Sequence, residues 1–309
     1  MTSRSTIVAG FLVLSALAWS RSLLACDDKP GRADQAPFHI QAHRGAGIAR
    51  PENTLESFMW SWQRQVTPEA DLRTTKDGVI VCFHDKNFKR VVSNIEPDRA
   101  KLGIKDLPIA EIEKLEVGSF RGEQFAGQHI PRLSRVFAEM TGHPQRLIYL
   151  DIKQVDLDAL VRMIRKYKVA SQVILATKHH KLIREWKQRV PESLTLLWNG
   201  GSEKELTKRL EAVRKADFEG ITHLQIHVKV GDLDSDEPFM PSIAFLEKTR
   251  DELKARGIVF QVLPWKCSDP RAYARLLDLG VESFATDYPE LTLKAVQAHR
   301  AKCRKGGKG

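Results

Sequence analysis

From Leu147 to Thr286 the chain alternates between short apolar runs and amphipathic segments, and this regularity constrains its fold more than any other feature. Residues 147–153, 173–177, 194–198, 223–228, 259–265 and 283–286 read as strands. Residues 157–166, 182–189, 203–215, 245–256 and 271–279, between successive strands, carry helical periodicity. Upstream, 38–43 is a further strand, Asn53-Thr54 can cap a helix through Leu55, Phe58 and Trp62, and a second strand follows Pro68. Strand and helix thus alternate about eight times, which predicts a parallel (β/α)8 TIM-type barrel. No GxGxxG or P-loop is present, so an open dinucleotide-binding sheet is the weaker alternative. With 42% hydrophobic and 28% charged residues among 309, the chain can bury a core without depending on disulfides.

The chemistry concentrates at Glu69–Asp85, EADLRTTKDGVIVCFHD. Side chains alternate along a strand, so Glu69 and Asp71 share one face while Ala70 and Leu72 take the other. Two carboxylates so placed repel unless a proton or cation lies between them. Asp77-Gly78 signals a turn, VIVCF a short buried strand, and that strand ends in His84-Asp85. Asp151 and Lys153 share a face by the same period-two rule. In a parallel barrel the C-terminal strand ends gather such residues. Three carboxylates with water form an all-oxygen site suited to Mg²⁺ or Ca²⁺ rather than Zn²⁺.

His43-Arg44-Gly45, Pro51-Glu52-Asn53-Thr54, the Glu69–Asp85 unit, Leu150-Asp151-Ile152-Lys153, Trp265 and Thr286-Asp287-Tyr288-Pro289 occur in one order. That order resembles the glycerophosphodiester phosphodiesterase family, over about residues 41–290. The resemblance implies that Glu69, Asp71 and Asp151 bind one divalent cation and that His43 and His84 are the general acid and base. It also implies that Trp265 lines the substrate groove and that Glu52 lies near the metal, although a glutamate after proline equally well supports a helix start. Arg44 and Lys153 can each donate to phosphate oxygens, Arg44 as a fork. This chain has Asp151 where the family usually carries Glu, and Thr67-Pro68 where it usually carries a glycine-containing turn. The implied reaction is hydrolysis of a glycerophosphodiester, a small-molecule substrate, to glycerol 3-phosphate and an alcohol. The alternatives are a lysophospholipase D or sphingomyelinase-like head-group hydrolase, and an inactive phosphate-ligand-binding surface lipoprotein. The last has no reason to keep both histidines. A lone histidine at a strand end usually makes a structural hydrogen bond, and His223 and His227 are read that way. Lys178 can face phosphate or solvent, and Trp198 reads as core.

Residues 1–25 read as a signal peptide: Arg4 precedes an apolar run too short to span a bilayer, and Arg21 stops that run from extending. Ala16-Leu17-Ala18 offers ordinary cleavage. Leu23-Leu24-Ala25-Cys26 resembles a lipoprotein box, through which Cys26 would carry a lipid anchor. The product would be exported: periplasmic, secreted or membrane-anchored. Residues 26–37 read as a linker, 38–298 as the barrel and 299–309 as a basic, frayed tail. Residues 86–132 form a polar, glycine-containing insertion after the second strand, expected to fold as a small cap with a helical turn near Ile109–Leu115. The net charge of +10 is partly that tail, and the charges from Ser202 to Lys215 mix signs at helical spacing. No nucleic-acid-binding motif is visible.

Overall fold

The computed structural model describes residues 38–93 and 95–306. The segments read as signal peptide and linker, with Cys26, lie outside the described residues. Strands run β1 (His39–Ala42), β2 (Thr67–Thr74), β3 (Ile80–Cys82), β4 (Ile148–Gln154), β5 (Val173–Thr177), β6 (Leu194–Asn199), β7 (His223–Val230), β8 (Phe239–Met240), β9 (Val259–Pro264) and β10 (Ser283–Thr286). Helices run α1 (Leu55–Gln63), α2 (Ile109–Ile112), α3 (Leu133–Met140), α4 (Leu157–Tyr167), α5 (His180–Arg189), α6 (Glu203–Lys215), α7 (Ile243–Arg256), α8 (Pro270–Asp278) and α9 (Pro289–Gly306).

Among the described residues, eight strands are parallel, in the order β1-β10-β9-β7-β6-β5-β4-β2. β1 pairs in parallel with both β10 and β2, which closes the sheet into the expected barrel. Outward side chains such as Ala70, Leu72, Leu150 and Leu175 meet the inward stripes of the helices, Leu160 and Ile164 on α4 and Leu206 and Leu210 on α6. Each such leucine, fully buried, is worth about 2–5 kcal/mol against alanine. Capping follows sequence: Thr54 accepts from the Ser57 amide and Ser202 from the Glu205 amide, both in capping boxes, and Asp156 starts α4.

The insertion has its own core. β3 runs antiparallel to β2, and its side chains alternate between two apolar clusters. Ile80 and Cys82 join the barrel's packing, whereas Val81 and Phe83 join Phe88, Ile104, Ile112 and Ile130 in a second cluster. The cap thus shares a strand with the barrel and is held at its mouth.

Three elements depart from the sequence reading. Helix α3 is absent from that reading, although Leu133, Val136, Phe137 and Met140 make a full apolar stripe. β8 is a two-residue partner of β7, too short to show periodicity. The basic segment from His299 continues α9 to Gly306 instead of fraying, and His299 Nε2 lies 2.9 Å from Asp278 Oδ1. No described helix is long and apolar enough to cross a membrane.

Candidate active site

The segment after β1 sets the geometry of the site. Arg44 adopts φ 53°, and Gly45 and Gly47 adopt φ 104° and 56°. A Cβ on Gly45 would lie 2.2 Å from Ser57 Oγ, and one on Gly47 would lie 2.2 Å from the Asp287 carbonyl oxygen. Neither position admits a side chain. The His43 amide donates to the Thr286 carbonyl and the Ile48 amide to that of Asp287, so this turn is stitched to the end of β10. His43 therefore meets Asp287, Nδ1 to Oδ1 at 2.7 Å. The carboxylate only accepts, so Nδ1 carries the proton.

Pro51-Glu52-Asn53-Thr54 divides into separate tasks. Glu52 is not one of the three clustered carboxylates. Instead it accepts from Arg44 at 3.2 Å and from both Arg90 Nη atoms at 2.7 Å. Asn53, also left-handed at φ 55°, donates Nδ2 to Asp71 Oδ2 at 2.7 Å and accepts the Asp71 amide at 2.9 Å. Thr54 caps α1. The sequence assigns Asn53 only to a helix start; its lock on Asp71 is visible only once β1 and β2 are neighbours.

Glu69, Asp71 and Asp151 point into the barrel mouth, buried, with ligand-capable oxygens within 4.8 Å of one another. Register makes this so: Asp71 lies opposite Asp151, and Glu69 opposite Tyr149. Gln41 donates to Glu69 Oε2 at 3.0 Å. Lys153 donates to Asp151 Oδ2 at 2.6 Å and sits 3.1 Å from Asp71 Oδ1, outside hydrogen-bonding alignment. That Asp71 oxygen is buried and has no hydrogen-bond donor. Unit charges at such separations repel by roughly 3–4 kcal/mol per pair at an effective dielectric of about 20. One lysine against three carboxylates leaves the cluster short of positive charge. Burial, then the charges of Glu69 and Asp71, lift Asp151 to about 7 despite Lys153. Burial raises Glu69 as well, whereas Lys153, His84 and Asn53 outweigh burial at Asp71 and lower it. A ready oxygen donor, an all-carboxylate set and a charge deficit fit a hard divalent cation.

His84 leaves β3 over the same mouth. Its carbonyl accepts from Arg73, and the Phe83 amide donates to the Asp71 carbonyl at 2.7 Å. His84 Nδ1 lies 2.7 Å from Asp85 Oδ1, and Nε2 lies 3.0 Å from Arg44 Nη2. A guanidinium can only donate, so Nε2 presents a lone pair and Nδ1 carries the proton in this arrangement. Arg90 clamps Asp85 and Glu52 together. The two histidines therefore differ. Burial opposes charge on His43, but the Asp287 hydrogen bond and the Glu69 and Asp287 charges overcome it and raise the imidazole to about 9. At neutral pH His43 is a cation with a proton to give, while His84 Nε2 faces the Arg44 guanidinium.

Trp198, His227 and Trp265 stack: ring centroids are 5.5 Å apart at 8° for the first pair and 5.9 Å at 18° for the second. Burial, with the nearby His43 charge, lowers His227 to about 4, so this ring is neutral. His227 Nε2 meets Gln225 Oε1 at 2.9 Å, and Gln225 donates onward to Gln41. Trp198 packs against the cluster of Tyr149, Ile174, Ala176 and Leu196 and also stacks on His227, which alternates with Gln225 along β7. His223 is buried beside Thr222, as expected.

Residues 43–291 match the model of the glycerophosphoryl diester phosphodiesterase family. A glycerophosphodiester phosphodiesterase of Caldanaerobacter subterraneus is 27% identical over 87% of this chain and 98% of its own. A human lysophospholipase D is 27% identical over 91% of this chain and 92% of its own. Among solved structures, a Silicibacter pomeroyi protein described as a putative glycerophosphoryl diester phosphodiesterase superposes with TM-score 0.66 at 23% identity, covering 84% of this chain and 93% of that one. An Oleispira antarctica phosphodiesterase, solved with the product sn-glycerol-3-phosphate, gives TM-score 0.61 at 22% identity over 84% and 96%. At these identities the structural matches speak for the fold.

Proposed function

The chain belongs to the glycerophosphoryl diester phosphodiesterase family, and from that premise we propose that it hydrolyses glycerophosphodiesters to glycerol 3-phosphate and an alcohol, with His43 as acid and His84 as base. One observation carries the mechanism: a buried carboxylate triad shares one barrel mouth with two histidines, each tied through Nδ1 to a carboxylate of its own. A divalent cation, Mg²⁺ or Ca²⁺, would be held by Glu69, Asp71 and Asp151 and would polarise phosphorus and offset developing charge.

The protein's own groups then divide the work. Arg44 turns its N–H groups from His84 towards a phosphate oxygen, which frees His84 Nε2 to accept a proton from the attacking water. Asp85, fixed by Arg90, stabilises the imidazolium that forms. As the new oxygen–phosphorus bond forms and the ester bond breaks, His43 Nε2–H protonates the departing alkoxide. Asp287 keeps that ring oriented and charged beforehand. Lys153 faces a second phosphate oxygen, and Trp265 forms a wall of the groove. The test is purified protein with a panel of glycerophosphodiesters, following glycerol 3-phosphate. Release from at least one is expected, and none from any would end this reading.

We also propose export, supported by the short apolar run behind Arg4. Intact-mass analysis of the native product should give a first residue near Trp19, or a lipidated Cys26; a product retaining Thr2 at its start rules export out.

A further inference from the structure

Beside the triad, on the cap side, lies a cavity of about 920 Å³ bounded by Asp151 and Lys153 of β4, the end of β5, Trp198 and the first turns of the insertion. That is near the upper end of small-molecule sites and far exceeds what glycerol needs. Its charge is one-sided. Arg73, Lys153 and Lys178 come from the barrel and Lys86, Lys101 and Lys105 from the insertion, against Asp106 and Asp151. Three of the cations are engaged: Lys153 with the triad, Lys101 with Asp98 at 2.8 Å, and Arg73 with the His84 carbonyl. Among the described residues, Lys86, Lys105 and Lys178 make no ion pair. These three exposed ammonium groups around one concavity give it a positive field that favours an anion.

The diester phosphate does not supply that anion. Its single charge is met by Arg44 and Lys153, with the cation at the triad. A cationic alcohol would be repelled from this wall. We propose that the cavity holds the alcohol portion of the substrate and that the preferred alcohols carry a second phosphate. This inference rests on the phosphodiesterase reading and adds to it a substrate class. Lys86 and Lys105 belong to the cap, so the insertion supplies two of the three cations that set this preference.

The experiment compares kcat/KM for three diesters under one set of conditions. They are glycerophosphocholine with a cationic alcohol, glycerophosphoglycerol with a neutral one, and bis(glycerophospho)glycerol with a phosphorylated one. The last should lead glycerophosphocholine by about tenfold or more at low ionic strength, and the lead should shrink as salt screens it. Combined Lys86→Ala and Lys105→Ala should remove most of the lead, by lowering kcat/KM for bis(glycerophospho)glycerol and easing the repulsion of glycerophosphocholine, and Lys→Arg at both should retain it. Equal kcat/KM for the three diesters, or a preference untouched by the double variant, overturns this inference alone. Failure to cleave any of them overturns it together with the phosphodiesterase reading.

Discussion

His43→Ala and His84→Ala should each lower turnover by about a hundredfold or more, the range that one positioned acid or base contributes. The pH behaviour should separate the two. His43 works as a cation, so activity depending on it falls as pH rises through its folded value, near 9 with the triad free of metal. A cation on Glu69 cancels part of the charge that raises it, so the loaded enzyme should lose activity somewhat lower. Asp287→Asn keeps the shape but removes the partner charge, and the alkaline limb should move down by about one unit or more. Stability follows the same sign. The folded value exceeds the ordinary 6.5, so the His43–Asp287 pair stabilises the fold fully below about 6.5 and loses its effect towards 9. His43→Ala should thus cost most stability in acid and little above pH 9. His84→Ala should remove the base without moving the alkaline limb. Wild-type turnover by either folded variant removes that histidine from the mechanism.

The barrel was legible because its determinants are local: apolar runs at strand length, helical stripes between them, and a cap at Thr54. The period-two rule put Glu69 with Asp71 and Asp151 with Lys153, and register brought the two pairs together. The parts that were not legible depend on closure. Asp287 reaches His43 across 244 positions of sequence, and only because β10 pairs with β1. Asn53 grips Asp71, and Gln41 grips Glu69, across the adjoining strand ends. Glu52 looked like a site carboxylate because its position in sequence cannot distinguish a metal ligand from a counter-ion. Arg90, which claims it, lies beyond β3 in an irregular segment with no periodic signal. The Trp198–His227–Trp265 stack likewise joins three strands whose rings meet only at the mouth.

Removing divalent cations with EDTA should abolish activity and lower the melting temperature, with Mg²⁺ or Ca²⁺ restoring both. The stability effect follows from mass action: an ion that binds the folded triad at a hundred times its dissociation constant adds about 2.7 kcal/mol. The triad has the motive, since burial and mutual repulsion lift both Glu69 and Asp151 while Lys153 can compensate only part. Asp151→Asn is the discriminating variant. It removes one charge at constant size, relieving repulsion in the metal-free protein while weakening the ligand set. The metal-free melting temperature should therefore rise or hold, and the metal concentration for half-maximal activity should increase by about tenfold or more. An Asp151 that is not a ligand could give the first response, since the repulsion it relieves exists without metal, but not the second. Asp151→Glu lengthens the ligand by one methylene and should keep both the activity and the metal response. If Asp151→Asn needs no more metal than the wild type, Asp151 is not a ligand. Glu52 cannot take its place without surrendering Arg44 and Arg90, so the cation would then rest on Glu69 and Asp71, with water completing its shell.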